Sequence, residues 1–282
     1  MLHDSRATPK RWIPSILESL TLLLSSWAAV LVSVGVVRLA LPSGWTEPKG
    51  RLAELSPEAM VAGTLASELG LAAMLGGYFW LRRQHRPVLL PLSRPTPRGL
   101  LGSLLVVFGI TPWADMSAVL VHWHTGETSQ AMTAVLGAVR QANGVGLATL
   151  FVALAIVPAI VEESLFRGAI TAAWHRSRWE AILFPSLLFG VFHMEPQQAA
   201  ATAVLGLGFG VARVATGSVL PGMVAHGAYN AGVILLMRTV GPAAQPSIPW
   251  VGLLCGTLVL GLGLVVLRWD TARVPERAQL DA

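Results

Sequence analysis

The chain has 282 residues, 54% of them hydrophobic and only 12% charged, with a mean hydropathy of +0.62. Soluble domains carry about 25% charged residues, so this composition excludes a soluble enzyme and points to a polytopic membrane protein. The formal charge is +5 and the pI is near 10.3, but the basic residues stand in short loops between apolar runs, a membrane-topology pattern that gives no reason to expect a nucleic-acid partner.

Apolar runs predict eight spans, near residues 13–41, 57–81, 99–121, 145–166, 179–194, 198–215, 218–237 and 250–268. The expected fold class is therefore all-α, a polytopic bundle of about eight transmembrane helices in a lipid bilayer. The first run is too long for a signal-peptide core and is read as a retained span. Arg6, Lys10 and Arg11 precede it. Arg82, Arg83, Arg86, Arg94 and Arg98 crowd the second connection, Arg176 and Arg178 follow the fourth span, Arg213 the sixth, and Arg268, Arg273 and Arg277 the eighth. In an eight-span count these fall on one side, and Arg38, Lys49, Arg51, Arg140 and Arg238 on the other. The excess sets both termini in the cytoplasm. Short loops and compact size suggest a bacterial inner membrane. The connection 82–98, rich in proline and arginine, is expected to be extended. Gly206, Gly208 and Gly210, and Gly252 and Gly256, are spaced for close helix packing. His122 and His124 flank Trp123 in an expected loop, and His175 sits in a basic one; none is given a role. Cys255, the only cysteine, lies in an apolar run and leaves no intrachain disulfide.

Ionisable groups inside spans mark function by default, since each costs about 2.5–3.5 kcal/mol at a helix centre. The fourth span carries Glu162, Glu163 and Arg167. Glu163 and Arg167, four apart on one face, are placed to form an ion pair. Glu162 is rotated by about 100° and is left free to act as a general base. His193 ends the fifth span with Phe189 four residues before it. His226 and Asn230 share one face of the seventh.

The series Glu-Glu-x-x-x-Arg (Glu162, Glu163, Arg167), Phe-x-x-x-His (Phe189, His193) and His-x-x-x-Asn (His226, Asn230) resembles the three-motif signature of the CPBP family, the CAAX-prenyl-protease and bacteriocin-processing intramembrane proteases. The resemblance divides the chain into N-terminal spans over 1–144, a catalytic core over 145–240, and a last span with its tail over 241–282. It implies an intramembrane endopeptidase acting on a membrane-associated protein or peptide. Glu162 and His193 would activate water, and His226 and Asn230 would stabilise the oxyanion. Glu163, Arg167 and Phe189 would support the site. Two versions stay open: a metal-free glutamate mechanism, and a zinc ion on Glu162, His193 and His226. No cofactor is certain. The alternative from another class is a membrane carrier using the carboxylates as a proton relay. The confinement of these polar groups to the second half disfavours it, because carriers commonly repeat their broken helices in both halves. The span count also sets Glu162 near the cytoplasmic end of its helix and His193 toward the opposite face, so tilted or broken helices must bring them together.

Overall fold

A computed structural model describes residues 14–40, 56–174, 176–239 and 250–271. The expected span ends at Ile13 and Leu41, and His175, fall outside the described residues. The described chain is helical throughout: α1 (Ile16–Ala40), α2 (Pro57–Leu81), the single turn α3 (Arg86–Leu89), α4 (Pro97–Thr125), α5 (Gln130–Gln141), α6 (Gly144–Ala173), α7 (Arg178–Phe192), α8 (Pro196–Thr216), α9 (Leu220–Thr239) and α10 (Trp250–Thr271). Local chemistry sets the starts. The Ser56, Thr96 and Ser177 side chains accept from backbone N–H groups of the first turns of α2, α4 and α7, and Pro57 and Pro97 open α2 and α4 with their φ already helical. Gly126, at φ +72°, ends α4 in a left-handed cap.

Seven helices are long and apolar enough to cross a bilayer: α1, α2, α4, α6, α8, α9 and α10. The fold class is as expected, a polytopic helical bundle; of the eight expected spans, seven are helices of full spanning length among the described residues. The span expected at 179–194 is α7, with 15 residues. At about 1.5 Å per residue it measures about 22 Å, short of the ~30 Å hydrocarbon layer.

Three further readings change. The fourth span does not stop near residue 166 but runs to Ala173, through two π-helical stretches, Val152–Ile156 and Ser164–Ile170. His122 and His124 belong to the last turn of α4 rather than to a loop. The 82–98 connection is not simply extended. It holds a 3₁₀ turn and α3, buries Leu89 completely, and then docks on the α8–α9 turn, where Pro91 O accepts from Val219 N (3.0 Å) and Ser93 O from Ser218 Oγ (2.7 Å). The amphipathic α5, not foreseen from the sequence, lays Ala134, Ala138 and Val139 on the bundle.

α6 is the hub. It packs against α1, α2, α3, α7, α8 and α9, whereas α4 holds α8 and α10. α4 and α10 cross at glycines: a Cβ on Gly109 would stand 2.7 Å from Leu260 Cα and 2.9 Å from Gly256 O. Gly109→Ala is therefore expected to lower the melting temperature of the detergent-solubilised protein, by overpacking worth about 1–3 kcal/mol. Gly76→Ala, whose Cβ meets nothing within 4 Å, is the matched control and should not lower it.

Candidate functional site

The core of the site is a fully buried ion pair. Arg167 and Glu163 are both fully buried, with Arg167 Nη1 donating to Glu163 Oε1 at 3.1 Å. Arg167 Nη2 donates to Gly206 O at 3.0 Å. The guanidinium also lies 4.6 Å from the centre of the Phe189 ring, 5.1 Å from Phe209 and 6.0 Å from Phe166. A cation over aromatic faces gains most when desolvated. The i,i+4 pairing read from the sequence is thus present, inside an aromatic box drawn from α6, α7 and α8.

His226 enters from α9. Its ring stacks on Phe209 with centroids 4.8 Å apart and meets Phe189 edge-on at 5.9 Å. Its Nδ1 lies 3.2 Å from Glu163 Oε1, and its Nε2 lies 3.8 Å from Glu162 Oε2. The imidazole therefore bridges the two adjacent glutamates. Gly222, one turn earlier on α9, allows the approach: a Cβ there would stand 2.8 Å from Glu163 Oε2.

The structure thus gathers Glu162, Glu163, Arg167, Phe189 and His226. His193 touches this group through Phe189, and the hydrogen bond of Asn230 goes outside it, to Leu154 O. His193 follows the last turn of α7, its Nδ1 2.8 Å from Phe189 O and its ring edge-on to Phe189 at 4.9 Å. The Phe189 ring thus packs against both histidines. Depth is no obstacle. Measured from the Ala173 and Arg178 ends, Glu162 is about 17 Å and His193 about 22 Å along their helices, at ~1.5 Å per residue. Asn230 lies one turn beyond His226, and its Nδ2 donates to Leu154 O at 3.0 Å. Pro158, four residues after Leu154, has no N–H to offer that carbonyl.

A zinc ion on Glu162, His193 and His226 would need all three donors within about 2 Å of one point. Phe189 packs against both histidines, and among the described residues no three His, Cys, Asp or Glu side chains gather closely enough to hold an ion. The set does not fit a zinc ion as arranged.

Sequence reasoning passed over three residues here. Glu68 of α2 is 7% exposed, and its Oε2 has no hydrogen-bond partner among the described residues. It is the only acid in the apolar run 59–81, which was signal enough. Phe209 and Gly222 carried no sequence signal, because their roles depend on which helices meet.

Residues 144–232 match the family model described as type II CAAX prenyl endopeptidase Rce1-like. The chain carries an Rce1-like domain. No curated protein and no solved structure matches the chain. The domain runs from the start of α6 to Gly232 in α9, and so contains every site residue above except Glu68. The match supports the coarse activity of a CAAX-type endopeptidase, a hydrolase in a multi-pass membrane protein.

Because Glu163 neutralises a fully buried guanidinium, Glu163→Gln is expected to destabilise the protein by about 3–5 kcal/mol. Gly222→Ala should lower the melting temperature as well, by pressing on the same carboxylate, and Glu162→Gln much less than either. Thermal melts of the three variants in one detergent read the order.

Proposed function

We propose that the chain is an intramembrane endopeptidase that cleaves a peptide bond of a membrane-associated protein or peptide, with Glu162 as the base that activates water. The observation that carries this is the 3.8 Å gap between Glu162 Oε2 and His226 Nε2, inside a domain of an endopeptidase family. That gap is too long for a direct hydrogen bond, but one water with ordinary bonds of ~2.8 Å reaches both atoms.

In this reading water gives a proton to Glu162 as its oxygen bonds to the carbonyl carbon. The carbonyl electrons move onto oxygen. The C–N bond then breaks, and Glu162 hands its proton to the amine nitrogen, leaving a carboxylic acid and an amine. The roles of the other residues follow from their partners. His193 Nδ1 faces a carbonyl, Phe189 O, so it carries the proton and leaves the Nε2 lone pair to orient water. His226 is held through Nδ1 by Glu163, which turns its Nε2 edge toward the reacting carbonyl, where it serves the oxyanion. Asn230 spends one N–H on Leu154 O and has a second for the same oxyanion. Glu163, Arg167 and Phe189 hold these groups in place. The excess of arginine in alternate connections supports a cytoplasmic side for both termini, with the shorter α7 carrying the chain across as the eighth pass, and the short loops and compact size support a bacterial inner membrane.

The purified protein in lipid nanodiscs tests this with two internally quenched peptides, one farnesylated at a CAAX terminus and one an unlipidated transmembrane segment. Cleavage of either is expected. Glu162→Gln should lose at least about 10²-fold of it, and Asn230→Ala about 10²–10³-fold in kcat. Full activity in Glu162→Gln would overturn the assignment. Proton uptake by proteoliposomes, without cleavage of either peptide, would favour a carrier instead.

A further inference from the structure

His193 follows the last turn of α7, and the turn after it is held in an unusual way. Met194 has φ +59°, the only positive φ on a non-glycine residue among those described. Such a backbone is disfavoured and persists where its surroundings over-determine it. The surroundings here are specific. Glu195 Oε2 accepts from Ser129 Oγ at 2.8 Å, and Glu195 Oε1 accepts from Gln130 N at 2.8 Å. Ser129 N donates to Gln197 Oε1 at 2.9 Å, and Gln197 Nε2 donates to Glu127 O. His122 Nδ1 lies 2.6 Å from the same Glu127 carbonyl. Within the turn, Glu195 N donates to His193 O at 2.7 Å.

The carboxylate of Glu195 therefore closes a latch between two parts of the chain. On one side is the turn carrying His193. On the other is the α4–α5 loop and the first turn of α5, whose N-terminal N–H groups favour a carboxylate. α5 is tied at its far end as well, where Arg238 Nη1 donates to Val139 O (3.1 Å) and Arg140 O (2.8 Å). The loop that receives Glu195 thus belongs to a helix anchored at both ends. It is a firm support rather than a loose strand of chain.

We propose that Glu195 is a positioning residue of the peptidase: latched to Ser129 and Gln130, it holds the strained turn that aims the His193 ring at the site. Nothing in the Rce1-like signature requires this residue. The proposal rests on the role given to His193 above.

The expected result for Glu195→Ala is a fall of about tenfold or more in kcat on the quenched peptide, as misplacement of a catalytic group by a fraction of an ångström produces, with KM within about twofold. Glu195→Gln keeps one acceptor oxygen and should fall between. Ser129→Ala removes one latch bond and should mimic it. In a His193→Ala background, Glu195→Ala should cost nothing further. An equal loss in both backgrounds would overturn the proposal, because the residue would then be acting on the fold at large. A second measurement does not depend on cleavage. Diethylpyrocarbonate modifies accessible, unprotonated imidazole, and peptide mass mapping follows His193 alone. Its labelling should be several-fold faster in Glu195→Ala and in Ser129→Ala than in the unaltered protein, with His85 as the internal reference. Unchanged labelling of His193 in both variants would sink the latch. Should His193→Ala cleave at the full rate, the peptidase reading of His193 fails by itself, and the labelling still decides whether Glu195 holds the turn.

Discussion

A guanidinium with no exposed surface, within a helix that crosses a bilayer, is the constraint the domain is built to meet. Left bare, Arg167 would destabilise the fold by several kcal/mol. Its partners come from three helices: Glu163 from α6 itself, Gly206 O from α8, and the Phe189 and Phe209 rings from α7 and α8. Satisfying one charge therefore fixes how α7 and α8 pack on α6. It also explains a glycine. A Cβ on Gly206 would stand 3.1 Å from Arg167 Nη2 and 3.0 Å from Ser186 Cβ, so the carbonyl could not come within bonding distance past a side chain. His226 then docks from α9 on the carboxylate oxygen that already pairs with Arg167. Four helices thus meet around one buried ion pair.

The helix that bears this pair is irregular on both sides of it, and the irregularity is matched by side chains. π-helical turns release carbonyls from the usual ladder, and hydrocarbon offers no water to take them. Thr171 Oγ1 donates to Phe166 O (2.7 Å), Ser164 Oγ to Ile160 O (2.6 Å), and Arg213 Nε to Arg167 O (3.0 Å). Asn230 belongs to the same series through Leu154 O. One hydrogen bond thus repairs the backbone opposite Pro158 and fixes the orientation of the amide whose other N–H faces away from that repair. A residue of the third motif is in this way tied to the helix of the first.

How much of this was legible in the sequence depended on range. The spans could be read because hydropathy is a local property, and the Glu163–Arg167 pair because an i,i+4 relation is fixed by helix geometry alone. The end of the fourth span was misplaced for a related reason. Arg167 reads as a charge at a membrane boundary, but once it is paired and boxed the helix continues past it to Ala173. The fifth apolar run has the hydropathy of a span without the length, since Ser177 starts the helix late and the turn after Phe192 stops it early. α5 escaped notice because its apolar face is made mostly of alanine and valine between two stronger signals. Glu68, Phe209 and Gly222 matter through contacts that join distant stretches of chain, and a single sequence carries no record of which helices meet.

The two adjacent glutamates show how burial can divide labour between identical side chains. Glu163 has no exposure, and its Oε1 already serves Arg167 and His226. Taking a proton would break the compensation of a buried cation, so its chemistry is tied up in structure. Glu162, rotated a little over a quarter turn around the helix, is 8% exposed and meets only His226 Nε2, at 3.8 Å. In the proposed reaction the carboxylate with fewer donors is the freer of the two to take a proton from water. Glu68 is buried on α2, outside the matched domain. The same burial explains why α2 matters to a domain that begins at residue 144. The helix contributes no motif, yet it packs on α6 and brings the buried Glu68 into the bundle.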